Sequence, residues 1–295
     1  MIIDCHVHLY PDAAIADPVG WAGARGESRW AAMVGPRTDG GASLQGWANC
    51  ERLLRDMDVA GVDRAVLLGW YWERPETCAE QNRFFAEVVR RHPDRLEACA
   101  TLHAAAGSDG VRAELARCRD EGLSGIGELY PPAQGFGYDD PVLAEALELA
   151  AQWRWPVNLH VTEPAGRAYP GRVETPFMAL LALAARHPAV RFVFAHLGGL
   201  LPFFELNRAV AKPLANVWYD TAAVPLLYRP EVLPLVAKVV GAERIVYGSD
   251  YPLRLYPKTQ AEPEFARFLA EIGGSGLTDG ELAAVRGGNW QRLRG

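Results

Sequence analysis

Short apolar runs alternate along the chain with longer stretches of helical periodicity. Each run has the length of a strand, and several are rich in Val, Ile and Phe. The runs cover residues 2–8, 64–69, 96–103, 125–130, 156–161, 191–197, 217–221 and 244–248. The helical stretches cover residues 44–60, 75–91, 110–121, 141–153, 175–186, 201–211, 230–240, 263–272 and 279–292. This alternation predicts a succession of eight strand–helix units.

The alternating order predicts an α/β protein with parallel strands and right-handed crossovers. Eight such units in a chain of 295 residues fit a closed (β/α)8 TIM barrel. A doubly wound open sheet is the alternative, but it usually has fewer strands and often a glycine-rich loop after the first. Here the first run ends in His6-Val7-His8 instead. We therefore expect one barrel domain over residues 1–295.

The connection after the first strand, residues 9–43, is out of proportion to the others. It is rich in Gly and Pro and contains Trp21 and Trp30. Connections of this length are usually functional or disordered, and the tryptophans favour order. The composition predicts a long, ordered capping loop rather than helices.

The net charge and the cysteine content limit the kinds of binding partner and the cellular compartment that we expect. The net charge of −6 argues against a nucleic acid, because such binding relies on clustered Lys and Arg. No apolar run reaches the ~20 residues of a membrane span, and we see no signal peptide. The five cysteines are scattered and form no CxxC pair, which indicates reduced thiols in a cytoplasmic protein. We expect a small-molecule substrate, and homo-oligomer formation stays open.

Polar residues stand at the ends of several predicted strands, where catalytic groups of a closed barrel gather. These residues are His6, His8, Glu128, Tyr130, His160, His196 and Asp250. Two further histidines, His92 and His187, precede prolines at predicted helix ends and have no expected catalytic meaning. His103 ends the third run and is ambiguous.

The pair His6 and His8 is the first sign of metal chemistry. Side chains two residues apart in a strand share a face, so the two imidazoles point the same way. Two imidazoles at the end of a buried strand form half of a metal site, and other strands must supply the remaining ligands.

Four short motifs carry a family resemblance: IDCHVH at 3–8, NLH at 158–160, AHLGG at 195–199 and YGSDYP at 247–252. They resemble the amidohydrolase superfamily of metal-dependent barrels, in its amidohydrolase-related branch. A fifth segment, GELYPP at 127–132, lies where that branch has a strand-four motif. The similarity runs from residue 1 to about residue 257, in the order and spacing of barrel strands.

The resemblance implies that His6, His8, His160 and Asp250 bind a divalent metal, with zinc as the first expectation and one or two ions. It implies that His196 either binds metal or hydrogen-bonds the reacting water. Neutral imidazoles with one carboxylate suit Zn²⁺ and leave a position for water. In that mechanism Asp250 accepts the proton of the activated water and later passes it to the leaving group.

Glu128 departs from the pattern, because many relatives in this branch carry a Lys-x-His-type motif on strand four. A Gly-Glu pair there is similar to binuclear relatives, in which a strand-four carboxylate bridges two metals. With Asp250 as the only carboxylate, a site that holds one divalent ion has a net charge of +1. Adding Glu128, one hydroxide and a second divalent ion keeps the net charge of the site comparable. The alternative is that Glu128 pairs with a buried arginine.

The segment after the second strand, Gly69-Trp70-Tyr71-Trp72-Glu73-Arg74, suggests a pocket for a flat or apolar group. Candidate substrate-binding residues are Trp70, Arg74, Tyr130 and Arg254, with the two arginines suited to a substrate carboxylate. The alternative for Trp70 is packing under the long first loop.

Three functions compete. The first expectation is a hydrolase that attacks an amide, ester or lactone of a small, anionic substrate. The second is a non-oxidative decarboxylase of an aromatic or muconate-type carboxylic acid, since the same branch contains such enzymes. The third is a non-catalytic barrel stabilised by metal.

Overall fold

The structure is a computed structural model that describes residues 1–35, 43–166, 168–169 and 172–295. Each of the eight predicted runs contains a strand that is shorter than the run. The strands are β1 (Ile3–Val7), β2 (Arg64–Leu67), β3 (Leu96–Ala98), β4 (Ile126–Leu129), β5 (Pro156–Leu159), β6 (Arg191–Phe194), β7 (Val217–Asp220) and β8 (Ile245–Val246). The difference arises because the last residues of each run leave the hydrogen-bonded ladder and carry side chains to the rim.

The eight strands are parallel and close into a ring. Strands β1 to β3 form one sheet and β4 to β8 another, each in sequence order. Parallel bridges join the sheets at both seams, between Ala100 and Ile126 and between Val7 and Tyr251. At the second seam the Cys5 amide also donates to the Tyr247 carbonyl over 2.8 Å. The predicted α/β TIM-barrel fold is therefore confirmed.

Helices follow the strands as the periodicity predicts, with two interruptions. The helices are α1 (Asp12–Ala16), α2 (Pro18–Arg25), α3 (Ser28–Val34), α4 (Cys50–Ala60), α5 (Pro75–Arg91), α6 (Gly107–Asp120), α7 (Pro131–Gln134), α8 (Pro141–Trp153), α9 (Phe177–Arg186), α10 (Ala195–Gly198), α11 (Arg208–Ala211), α12 (Val224–Leu227), α13 (Val232–Val240), α14 (Ala266–Gly273), α15 (Asp279–Ala283) and α16 (Asn289–Arg294). The helices predicted at 201–211 and 279–292 are each broken. The first begins as the 3-10 turn Leu201–Leu206, and Asn207 then caps α11. The second contains the π segment Ala284–Gly288, where Gly287 allows close approach to the start of β1.

The long first connection is helical over part of its length, so the prediction of a capping loop without helices is wrong. Helices α1, α2 and α3 occupy residues 12–34, and positions 36–42 lie outside the described residues. Asp17 caps α2 ahead of Pro18, and Gly26 ends it with φ +73°. The glycines that indicated a loop include a helix terminator, because only glycine adopts a positive φ without strain.

Two apolar layers hold the strand ends in place. Inside the ring, Cys5 and neighbouring aliphatic residues pack on Trp290 and Leu293, so α16 closes the amino-terminal mouth. A larger cluster fills the space between strands and surrounding helices. Within the described residues, no helix combines the length and hydropathy that crossing a bilayer requires.

Candidate metal centre at the carboxyl ends of the strands

The site begins with His6 and His8 at the end of β1. The pairing of β1 with β2 shifts register between Asp4 and Val7, an irregularity that re-aims side chains at a strand end. The two imidazoles turn to the same rim, with their Nε2 atoms 3.3 Å apart. Two nitrogens bound at about 2.1 Å to one tetrahedral ion lie about 3.4 Å apart. The pair therefore has the spacing that a shared cation requires.

The opposite ring nitrogens of this pair are held by acceptors. His6 Nδ1 lies 2.8 Å from Asp220 Oδ2, and His8 Nδ1 lies 3.2 Å from the Leu68 carbonyl oxygen. A carboxylate and a carbonyl both accept, so each Nδ1 carries the proton and donates it. The Nε2 lone pairs are then left facing the site, as metal-binding histidines require.

Asp250 completes the first ligand group, which we define as His6, His8 and Asp250. Its Oδ1 lies 3.4 Å from His8 Nε2 and 3.8 Å from His6 Nε2. The residue has φ +67°, a conformation that costs energy for a side chain other than glycine. A hydrogen bond of 2.9 Å from its amide to the His6 carbonyl holds it there. Gly248 allows the approach, because a Cβ atom would lie 2.6 Å from His6 Cβ.

A second ligand group consists of Glu128, His160 and His196. His160 Nδ1 lies 2.9 Å from Glu128 Oε1 and 3.1 Å from His196 Nε2. His196 Nδ1 donates to the Ala222 carbonyl oxygen over 3.0 Å, which leaves its Nε2 directed at the site. Within each group the ligand atoms lie within 4.8 Å of one another, the spacing of a metal site.

Glu128 stands between the two groups. Its Oε1 faces the second group, 2.9 Å from His160 and 3.6 Å from His196. Its Oε2 faces the first group, 3.7 Å from His8 Nε2 and 3.9 Å from His6 Nε2. In the described chain its ion-pair partners are all histidines, so the expected alternative of a buried arginine partner is not what the structure places there.

The ionisable groups of the site shift one another's pKa values. Burial disfavours ionisation of Glu128, but His160 and His6 outweigh it and hold the pKa of Glu128 well below its usual value. The pKa of Asp250 is likewise lowered, against burial, by His8 and His6. Burial also opposes protonation of His196, yet Glu128 and Asp250 raise the pKa of its imidazole to about 9. The carboxylates thus stay ionised and demand positive charge.

Asp220, the buried last residue of β7, was not among the predicted site residues. Besides His6, its Oδ2 accepts from Asn158 Nδ2 over 3.0 Å, and its Oδ1 accepts from the His196 amide over 2.9 Å. Asp220 therefore orients both ligand groups while standing behind them. Its position at the end of an apolar strand run is the sequence feature that could have identified it as a site residue.

The structure separates the four candidate substrate-binding residues. Trp70 is buried with its ring centroid 5.5 Å from that of His8, and Tyr130 lies 4.6 Å from the ring of His160. Arg74 is exposed at the N-cap of α5, with its guanidinium beside Gly26. Arg254 is half-buried, with Nη1 3.5 Å from the Ala261 carbonyl oxygen. The aromatic pair lies beside the ligand groups, while Arg74 does not face a buried pocket.

An aromatic cluster from the helical cap covers this region. It includes Trp21 and Trp30 of the cap and Trp70, Tyr71 and Trp72 after β2. Trp70 therefore does pack in the cluster under the first connection, as the alternative proposed, and also contacts the site.

The remaining histidines are accounted for by local structure. His92 and His187 are the C-terminal caps of α5 and α9. His103 lies beyond β3 and accepts from the Ala105 amide through Nδ1, with Nε2 2.8 Å from the Gln134 carbonyl oxygen. Both ring nitrogens of His103 are thus occupied by backbone groups.

Comparison with known proteins agrees with this fold. The family model described as "Amidohydrolase" matches residues 3–293. The chain therefore belongs to the amidohydrolase family, and it is an enzyme of the amidohydrolase superfamily.

Among curated proteins, the chain is 25% identical over 237 residues to 2-amino-3-carboxymuconate-6-semialdehyde decarboxylase of Dictyostelium discoideum, covering 68% of this chain and 64% of the relative. It is 28% identical over 216 residues to 2-keto-4-carboxy-3-hexenedioate hydratase of Sphingobium sp. (strain NBRC 103272 / SYK-6), covering 64% of this chain and 60% of the relative. The chain thus spans less than two thirds of the length of these relatives.

Among solved structures, the chain resembles 5-carboxyvanillate decarboxylase of Novosphingobium aromaticivorans DSM 12444, in complex with manganese and 4-hydroxy-3-methoxy-5-nitrobenzoic acid. The TM-score is 0.75 at 17% identity, over 99% of this chain and 95% of that one. At this identity the likeness shows the shared fold.

These relatives bear on two expectations. The expected hydrolase is contradicted, because the similar proteins reported above are two decarboxylases and a hydratase, and the decarboxylases match the alternative expectation. The reason is that the ligand motifs predict a metal centre but do not determine which bond of the substrate is broken there. Zinc as the specific metal is also unsupported, because the similar structure holds manganese.

Replacing Asp220 with Asn should weaken manganese binding roughly 10- to 100-fold, because the His6 imidazole loses its anionic acceptor. Competition against a fluorescent chelator measures the affinity. Asp140→Asn, a change at the N-cap of α8, is the matched control and should bind manganese like the original protein. Equal affinity of the two variants would contradict the role of Asp220.

Proposed function

We propose that the chain is a metal-dependent, non-oxidative decarboxylase of an aromatic or muconate-type carboxylic acid. The observation that carries the proposal is the joint presence of a buried His/carboxylate centre and similarity to a carboxymuconate-semialdehyde decarboxylase. The aromatic side chains beside the centre suit a flat substrate.

The donor set fits a divalent cation. Glu128, Asp220 and Asp250 are buried, and within the described chain no lysine or arginine nitrogen lies within 4.0 Å of their oxygens. Such buried charges are costly without a cation. His6, His8 and Asp250 are the residues that would hold one, with Glu128 and His160 facing them from the second group. A divalent ion supplies positive charge that binds and polarises anionic substrate oxygens.

The protein side chains then have separable tasks. Asp220 orients His6 and positions the His196 backbone. Trp70 and Tyr130 bound the space beside the ligand groups and exclude water from one side of it. Arg254 is retained as a candidate for a second anionic group of the substrate, whereas the exposed Arg74 is not.

Decarboxylation breaks the carbon–carbon bond to the carboxylate, releases carbon dioxide and requires a proton at the carbon left behind. His196 and Asp250 are the groups we assign to that proton. His196 Nδ1 is committed to Ala222, so its Nε2 is the atom that holds a proton toward the site. Asp250 Oδ2 lies 4.0 Å from His196 Nδ1 and stabilises the protonated ring.

The number of ions depends on Glu128. Each of its two oxygens faces a different ligand group, so Glu128 and His160 would hold a second ion, and His196 Nε2 keeps its proton. We propose manganese as the metal, because nitrogen and carboxylate donors accept it and a similar structure holds it.

The manganese-loaded protein should release carbon dioxide from members of a panel of aromatic and muconate-type carboxylic acids. His196→Gln should lower kcat by about 10²- to 10⁴-fold, because the proton donor is lost. Coupled carbon dioxide detection and proton NMR of the product measure the reaction. His187→Gln changes the C-terminal cap of α9, which belongs to neither ligand group, and this variant should keep full turnover. Turnover without carbon dioxide, or full activity of His196→Gln, would argue against the proposal.

Elemental analysis after manganese loading should give two ions per chain for the original protein and one for Glu128→Gln, because the shared carboxylate is lost. Glu145→Gln, which changes a surface ion pair with Arg112, serves as the matched control. One ion in both the original protein and Glu128→Gln would leave a mononuclear centre and remove the bridging role.

A further inference from the structure

Tyr71 lies beside the ligand groups, yet the roles assigned so far leave it unused. It follows β2, and only 6% of its surface is exposed. Its ring stacks on Trp70 with centroids 4.1 Å apart and meets Tyr130 edge-on at 5.4 Å. Its centroid is 5.3 Å from that of His160. Contacts with these three rings fix the phenol next to the second ligand group.

The hydroxyl of Tyr71 donates no hydrogen bond within the part of the chain that the structure describes. Tyr130 differs, because its hydroxyl lies 3.0 Å from Thr162 Oγ1 and donates to the Val173 carbonyl. A hydroxyl beside the ligand groups that donates to no group of the described chain is available to a bound molecule. The contact of the Tyr71 ring with the ring of His160 places this phenol at the site.

The Nδ1–H donors of three histidines at this rim are already committed. The Nδ1–H groups of His6, His8 and His196 are donated to Asp220, Leu68 and Ala222. A carboxylate is an acceptor only and needs donors wherever it is taken out of water. The Tyr71 hydroxyl is an uncommitted donor held by packing, which lowers the entropic cost of binding an anion.

We propose that the Tyr71 hydroxyl donates a hydrogen bond to the substrate carboxylate and thereby selects carboxylic acids over the matching compounds that lack this group. This inference rests on the proposed decarboxylase function for its substrate class. The contact is a binding contact, with the Trp70 ring holding the phenol in place.

The test compares Tyr71→Phe with the original protein, because the change removes only the hydroxyl. Isothermal titration calorimetry of the manganese-loaded proteins measures binding of 2-hydroxybenzoate and of phenol, which lacks the carboxylate. Tyr71→Phe should bind 2-hydroxybenzoate about 10- to 100-fold more weakly, the effect of losing a hydrogen bond to a charged group. Its affinity for phenol should not change.

Tyr138→Phe is the matched control. Tyr138 is a buried tyrosine of the outer apolar layer whose hydroxyl has no hydrogen-bond partner in the described chain. Removing that hydroxyl should leave binding of both compounds unchanged. Manganese content and the thermal unfolding midpoint are measured for both variants, and Tyr71→Phe should match the original protein in each.

The outcomes separate this inference from the proposed function. Equal 2-hydroxybenzoate affinity in Tyr71→Phe and the original protein would overturn the role of Tyr71 and leave decarboxylation standing. Weaker binding of phenol by the same factor would also overturn it, because the effect would not concern the carboxylate. A selective loss of 2-hydroxybenzoate binding, with no carbon dioxide released from any acid, would support Tyr71 and contradict the decarboxylase. No binding of 2-hydroxybenzoate by the original protein would contradict the carboxylate site itself.

Discussion

The arrangement of this protein depends on negative charge buried at one rim of the barrel. Glu128, Asp220 and Asp250 come from β4, β7 and the segment after β8, and histidines are the ion-pair partners that the described chain gives them. Bringing these groups together costs desolvation that only a cation and well-placed hydrogen bonds offset. The closed ring makes this possible, since the seam between β1 and β8 holds His6 and Asp250 through backbone hydrogen bonds. The backbone contacts that close the barrel therefore also hold the site residues in place.

The helical cap gives this polar centre an apolar roof. Trp21 and Trp30 of the cap pack against Trp72, and the cluster continues through Trp70 and Tyr71 to the ligand histidines. A low-polarity surround strengthens the electrostatic interactions within it. Under the proposed function, the same rings form the wall against which a flat acid would lie, so the long first connection contributes to the substrate site.

The barrel and most residues of the candidate site could be predicted from the sequence, because both depend on local patterns of polar and apolar residues. His6-Val7-His8 has the parity of a strand, and Asp250 follows an apolar run at barrel spacing. Asp220 was missed because a single acidic residue at a strand end looks like an ordinary turn residue. The place of the Arg74 guanidinium beside Gly26 is a tertiary contact without a local signal. The bond that breaks was also beyond reach, since hydrolases and decarboxylases share the ligand motifs.

Anomalous diffraction at the manganese absorption edge, on crystals of the loaded protein, tests the central claim most directly. The account predicts a strong peak about 2.0–2.3 Å from His6 Nε2, His8 Nε2 and an Asp250 oxygen. A manganese peak elsewhere on the protein, with these three side chains left without an ion, would contradict it.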